Sequence, residues 1–133
     1  MADIQMSLAD LVLRVKDVKR AASFYRHALG FVVQGEPTDE QAWLQIGEPG
    51  AAQHLALYKG ELPYEIYSPN PEGKRWGAVH FTLSVPAKQL EAAIRQVRLH
   101  GIEVRGPQQL AETDSVAFYF YDFDGNLVAL RSR

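Results

Sequence analysis

The sequence contains no cysteine and no long apolar run. Without cysteine the protein has no disulfide, no zinc thiolate site and no cysteine nucleophile. No apolar run approaches the roughly 20 residues that a membrane-spanning helix needs, and the opening MADIQMSLADL lacks the basic and apolar regions of a signal peptide. We therefore expect a soluble, cytoplasmic protein.

The sequence also has no strong excess of either charge, since 14 basic and 16 acidic side chains spread along the chain give a formal charge of -2. This balance favours neither nucleic acid nor an anionic membrane as a partner. The glycines form neither G-x-G-x-x-G nor a Walker sequence, and no serine lies in a G-x-S-x-G context. We expect a small-molecule ligand as the partner.

What the sequence does contain is an internal repeat. The strand-like segments LADLVLRV and AVHFTLSV each precede a helix-like segment that ends at a glycine. Asp10 in the first copy lies 20 residues before Gly30, and His80 in the second lies 21 residues before Gly101. The two halves therefore overlay almost without gaps. At 133 residues, of which 47% are hydrophobic, they have enough material for a shared core.

Hydrophobic periodicity predicts a β-α-β-β-β order in each half. Asp17 is a suitable N-cap for the first helix and Gly30 ends it, whereas Pro86 opens the second helix and Gly101 ends it. Strands are predicted at 8–15, 31–35, 42–46 and 53–58, and again at 78–85, 102–105, 116–121 and 127–131. We predict one α+β domain over 1–133, with module one at about 6–58, a connecting loop at 59–77 and module two at 78–133.

The period-2 alternation of the strands assigns their side chains to two faces. One parity is aliphatic or phenylalanine, and we expect the helices to cover it: Leu11, Leu13, Val15, Leu44, Ile46, Leu55, Leu57, Phe81, Leu83, Val85, Phe118, Phe120, Val128 and Leu130. The other parity is polar and aromatic, and we expect it to line a cavity: Asp10, Val12, Arg14, Trp43, Gln45, His54, Ala56, Tyr58, His80, Thr82, Ser84, Tyr119, Tyr121, Ala129 and Arg131. Its aromatic side chains favour a planar or amphipathic ligand.

Several segments, in this order, carry a resemblance to a known family: LADLVLRVKD, Phe24-Tyr25, LGF, HFTL and YDFDGNLV. Together they resemble the vicinal oxygen chelate superfamily of glyoxalase I, extradiol dioxygenases, fosfomycin resistance transferases and bleomycin resistance proteins, from about residue 8 to the end. The resemblance implies paired modules that form a cupped, eight-stranded mixed sheet with helices on the outer face, in a homodimer. The loop at 59–77 and Thr113-Asp114-Ser115 also resemble the fosfomycin branch. The modules pair either within one chain or by exchange between chains.

The resemblance also implies a divalent metal and places its four ligand positions at Asp10, Ala56, His80 and Ala129. Two of these four residues have no donor atom, and a catalytic zinc, manganese or iron normally needs about three protein ligands. His54, on the same strand face as Ala56, is the only nearby candidate to complete a set with Asp10 and His80. We expect no resident metal and hence no cofactor.

Three functions remain open. The favoured one is metal-independent binding of an aromatic or amphipathic compound, of the resistance or sequestration type, with Trp43, His54, Tyr58, Thr82, Tyr119 and Tyr121 as ligand-binding residues. The second is a metal-dependent lyase, dioxygenase or thiol transferase with an unusual Asp/His ligand set. The third is a metal-free enzyme in which Asp10 and His80 form an acid/base pair. The same two residues are equally compatible with a buried pair that only satisfies itself.

The segment YDFDGN has the carboxylates of a calcium loop without the downstream ligands of an EF-hand. Its glycine and asparagine are typical of a reverse turn. We predict a tight turn between two strands here.

Overall fold

Each half of the repeat folds as one β-α-β-β-β unit, as the sequence predicts. The computed structural model describes residues 4–47, 53–60, 65–69, 79–109 and 115–133. The chain divides into two compact units, Met1–Pro63 and Tyr64–Arg133, and each contains a four-stranded mixed sheet and one α-helix. The α+β class and the eight strands are confirmed, whereas the single domain stays a prediction.

In the first unit the last strand in chain order pairs with the first strand. The elements are β1 (Asp10–Arg14), α1 (Val18–Leu29), β2 (Val32–Gln34), β3 (Gln41–Gln45) and β4 (His54–Tyr58). The strand order is β1-β4-β3-β2, in which β1 and β4 run parallel and the other neighbours run antiparallel. This pairing brings Asp10 level with His54.

The second unit repeats this topology. Its elements are β5 (His80–Val85), α2 (Ala87–Leu99), β6 (Arg105–Gln109), β7 (Val116–Tyr121) and β8 (Leu127–Ser132). The strand order is β5-β8-β7-β6, with β5 and β8 parallel. A short 3-10 helix, Glu65–Tyr67, lies in the predicted connecting loop, most of which falls outside the described residues.

Local chemistry determines where α1 begins and ends. The Asp17 carboxylate accepts a hydrogen bond from the backbone N–H of Arg20 at 3.1 Å, which makes it the predicted N-cap. At the other end Gly30 adopts a left-handed φ of 75°, and its N–H donates to the carbonyl of Arg26 at 3.0 Å. Tyr25, fully buried on the apolar face, stacks on Phe31 at a centroid separation of 5.7 Å. Both predicted ends of the helix are confirmed.

Helix α2 is less firmly capped. Pro86 precedes it without a side-chain cap hydrogen bond, and the helix ends at Leu99, two residues before the predicted terminator Gly101 with its φ of 80°. Leu90, Ile94 and Val97 form its buried stripe. In the described part of the chain, no helix is both long and apolar enough to cross a membrane.

The predicted position of β6 is wrong. The hydrophobic pattern predicts this strand at 102–105, but the strand spans Arg105–Gln109 and is exposed along its whole length. Gly106-Pro107 is a pattern typical of a turn. However, β6 lies at the sheet edge, where a proline is tolerated because its lack of an N–H costs the sheet no hydrogen bond. The register with β7 shifts between Arg105 and Gln108, so the strand accommodates the dipeptide as an irregularity.

The predicted division of each sheet into two faces is confirmed by the strand register. In the first unit Leu11 is level with Leu55, which is level with Leu44, so the apolar residues share one face. In the second unit Phe120 is level with Val128, and both are buried. Burial of these side chains supplies most of the driving force for folding each unit.

The predicted tight turn joins β7 to β8 and reaches back to β5. The buried carboxylate of Asp122 accepts hydrogen bonds from the backbone N–H groups of Asp124 and Asn126, each at 2.9 Å, and from the Asn126 side-chain amide at 2.9 Å. The Asn126 amide oxygen accepts from the N–H of Val79 at 3.2 Å. The turn therefore holds the residue that precedes His80, at the start of β5.

Candidate functional site

In the first unit the polar parity forms three rows across β1, β4 and β3. Asp10, His54 and Gln45 are level on β1, β4 and β3. The middle row is Val12, Ala56 and Trp43, and the third is Arg14, Tyr58 and Gln41. We call these nine residues the first polar face. Side chains that were assigned to one surface from alternation alone do lie on one surface of this sheet.

The first polar face brings Asp10 and His54 together. The Asp10 Oδ1 and His54 Nδ1 atoms are 3.8 Å apart, and the two side chains are 39% and 25% exposed. The indole of Trp43 meets the imidazole edge to face, with ring centroids 6.2 Å apart at 71°. His54 therefore has a carboxylate on one side and an aromatic ring on the other, whereas the predicted partner of Asp10, His80, belongs to the other unit. Pairing of Asp10 with His80 stays a prediction.

Gln45 belongs to the predicted cavity-lining residues but is not among the predicted ligand-binding residues. It lies level with His54 and is 6% exposed. The alternation of the strand assigns this amide to the face beside the imidazole, but it does not indicate that the amide is buried. The signal that was available is its parity, which matches that of Trp43.

The second unit has the corresponding face. His80, Leu127 and Tyr121 form its first row, Thr82, Ala129 and Tyr119 its middle row, and Ser84, Arg131 and Ala117 its third; we call these residues the second polar face. His80 and Tyr119 meet edge to face, with ring centroids 6.2 Å apart at 61°. Because β8 runs between their two strands, these two side chains lean towards each other across β8.

The two faces match row by row, and an alanine is at the centre of each. Ala56 is level with Val12 and Trp43, and Ala129 is level with Thr82 and Tyr119. Neither alanine retains more than 1% exposure. Each is thus a small, covered residue beside an aromatic ring.

The side chains at the four metal-ligand positions do not fit a metal of the implied kind. Ala56 and Ala129 offer no donor, so Asp10 and His80 are the only members of that set able to coordinate a cation. Among the residues that the structure describes, no three His, Asp or Glu side chains gather closely enough to hold a metal ion. Of the segment that resembles the fosfomycin branch, Thr113 and Asp114 lie outside the described residues.

A family model with the description "Glyoxalase/Bleomycin resistance protein/Dioxygenase superfamily" matches residues 7–130 of the chain. The chain belongs to this superfamily. The match covers both units, so both are parts of the family's sequence pattern, as the resemblance of the motifs implied. No curated protein matches this superfamily member in sequence.

Solved structures resemble this superfamily member in fold. An integron cassette protein from the mobile metagenome of the Halifax Harbour sewage outfall aligns with a TM-score of 0.74 at 21% identity, over 96% of this chain and 98% of that one. Lactoylglutathione lyase from Agrobacterium tumefaciens aligns with a TM-score of 0.74 at 18% identity, covering 98% and 96%. The fosfomycin resistance protein FosX from Listeria monocytogenes, solved with Mn(II) and sulfate, aligns with a TM-score of 0.71 at 16% identity, covering 97% and 91%. At these identities the likeness establishes the fold alone.

Proposed function

We propose that the protein binds a small aromatic or amphipathic molecule on its polar faces without a metal, as a sequestering or resistance-type protein. The observation that carries the proposal is the pair of buried alanines, Ala56 and Ala129, at the centres of the two faces. A carboxylate at either position would add a ligand to the set of Asp10 and His80. With a methyl group instead, the faces offer apolar and aromatic surface where coordination chemistry would need donors.

The aromatic rings beside these alanines supply the recognition chemistry. Trp43 and Tyr119 occupy equivalent places in the two units, and each makes an edge contact with a histidine. Aromatic walls with a few directed polar groups are the usual composition of small-molecule sites. His54 and His80 are suited to orient a ligand by hydrogen bonding, while the rings provide the contact area.

The test uses Trp43 as the reporter, in a Trp76→Phe background that leaves one tryptophan. Bleomycin, which the family description names, and a panel of planar aromatic compounds are titrated against its fluorescence, with and without EDTA. The proposal expects saturable quenching with at least one compound and the same Kd in both buffers. His54→Ala and Tyr58→Ala, on the same face as Trp43, are expected to raise the Kd several-fold, while His100→Ala, a histidine at the end of α2, leaves it unchanged.

Two results would contradict metal-independent binding. In the first, binding disappears in EDTA and returns with one equivalent of Zn, Mn, Fe or Ni, which favours the metal-dependent enzyme instead. In the second, no compound in the panel quenches Trp43. The homodimer that the family resemblance implies is part of the same proposal, and sedimentation is expected to give twice the mass of the chain.

The contact between Asp10 and His54 favours a second function, metal-free acid/base catalysis. The 3.8 Å separation of Oδ1 and Nδ1 is longer than a hydrogen bond, but ligand binding often tightens such a contact. In that case turnover of a compound found in the panel is insensitive to EDTA and abolished by both Asp10→Asn and His54→Ala. Binding without turnover leaves sequestration as the function.

A further inference from the structure

A groove on the opposite side of the second sheet lies outside both polar faces. It runs between α2 and β7, has a volume of about 490 Å³, and all the residues that line it belong to the second unit. Leu90 and Ile94 of α2 are its buried apolar residues, and Phe118 of β7 is half-buried across from them. A concave apolar space of this size falls within the range of small-molecule sites.

The internal repeat explains why the groove exists in this unit. Trp43 and Tyr119 are equivalent, since each is level with the central alanine of its sheet, so the preceding residues Ala42 and Phe118 are equivalent as well. Ala42 is 4% exposed, and α1 contacts β2, β3 and β4. Helix α2 has its main contact with β8 instead. The larger ring on β7 occupies the space that a small residue leaves to the helix in the first unit.

The Phe118 ring is flanked by the backbone of β6, the strand next to β7 in the sheet. A Cβ added to Gly106 would lie 2.8 Å from Cδ1 of Phe118 and 3.0 Å from the carbonyl oxygen of Ala117. The phenyl ring therefore packs directly against a residue without a side chain. A ring seated in this way forms a fixed wall, which lowers the entropic cost of binding a ligand against it.

The charged side chains at the rim of the groove give it a net positive charge. Arg95, Arg98 and Glu91 line it from the exposed side of α2. Nη2 of Arg98 donates to the carbonyl of Val104 at 3.1 Å, which orients the guanidinium group and leaves its other N–H groups to an additional acceptor. Arg95 precedes Arg98 by three residues, so both lie on the same side of the helix. A chain whose net charge is -2 thus places two cations and one anion around an apolar groove.

We infer that this groove binds an amphipathic organic anion, whose apolar body lies on Leu90, Ile94 and Phe118 and whose carboxylate or sulfonate meets Arg95 and Arg98. Arginine is the side chain best suited to such groups because its N–H donors match two acceptor oxygens at once. The site is independent of the polar faces and of the function proposed for them.

The test uses 8-anilinonaphthalene-1-sulfonate as the anionic probe and N-phenyl-1-naphthylamine as its uncharged counterpart. The Arg95→Gln/Arg98→Gln variant is expected to bind the sulfonate probe about tenfold more weakly, which is the loss typical of a charge-assisted hydrogen bond. Its affinity for the uncharged probe is expected to stay the same. Arg105→Gln/Arg133→Gln, which removes two other exposed arginines from the same unit, serves as the matched control and is expected to bind both probes as the parent does. Dodecanoate is expected to displace the sulfonate probe.

Amide chemical shifts of the parent protein titrated with dodecanoate provide the second measurement. The inference expects the largest changes between Ala87 and Arg98 and at Phe118. It is wrong if the arginine variant binds the sulfonate probe unchanged, or if the shifts concentrate on the polar faces. It is also wrong if the arginine variant changes the oligomeric state, because the groove is then a contact between copies of the chain. If no compound of the bleomycin panel binds, the inference about this groove still stands, since that panel reports on Trp43.

Discussion

Removal of the Asp122 carboxylate is expected to destabilise the protein more than removal of any exposed carboxylate. This carboxylate accepts three hydrogen bonds at 2.9 Å and the residue is 7% exposed. Three bonds to a charged acceptor at about 1.5 kcal/mol each would give about 4.5 kcal/mol, and relief of the carboxylate's desolvation offsets part of that sum. We therefore predict that Asp122→Ala lowers the free energy of unfolding by about 3 kcal/mol.

Urea denaturation followed by circular dichroism measures this change, provided that the slope of the transition stays the same. Asp122→Asn keeps one acceptor oxygen but turns an NH₂ group towards the Asn126 amide, so an intermediate loss of about 1–2 kcal/mol is expected. Asp39→Ala is the control, since that side chain is 80% exposed and lies 3.5 Å from Lys19; its effect should stay within about 0.5 kcal/mol. A loss below about 1 kcal/mol in Asp122→Ala would refute the reasoning.

Three other predictions concern the packing within the two units and the first polar face. Gly106→Ala is expected to cost about 2–3 kcal/mol in urea denaturation, because the φ of 139° is strained for alanine and the new Cβ would meet Phe118. Ala42→Phe is expected to cost about 2–3 kcal/mol by the same measurement, since the residue is 4% exposed on the helix-covered side of β3. A double-mutant cycle of Asp10→Asn and His54→Ala should give a coupling energy of at most about 1 kcal/mol, and a larger value would show a tighter pair than the 3.8 Å separation implies.

Features that depend on neighbours in sequence were predictable. The ends of α1 follow from Asp17 and Gly30, because a cap acts within three or four residues of its helix terminus. The shared face of Trp43 and His54 follows from the period of two in a strand, combined with the internal repeat. The turn at Asp122 follows from its own local hydrogen bonds.

Features that depend on packing between elements were not predictable. Gly106-Pro107 is typical of a turn, and only its place at a sheet edge allows it to lie within β6. The contact of Asp10 with His54 depends on the register of two strands distant in sequence and on side-chain torsion angles. The groove beside α2 depends on how closely a helix approaches Phe118, a distance that no pattern in the sequence encodes.

The most direct test of metal-independent binding is the metal content of protein purified without a histidine tag. After incubation with Zn, Mn, Fe or Ni and removal of free ions, elemental analysis gives the moles of metal per mole of chain. We predict well under one equivalent of each metal, since two of the four ligand positions, Ala56 and Ala129, have no donor atom. One equivalent of any of these metals in the parent protein, lost in His80→Ala, would contradict it.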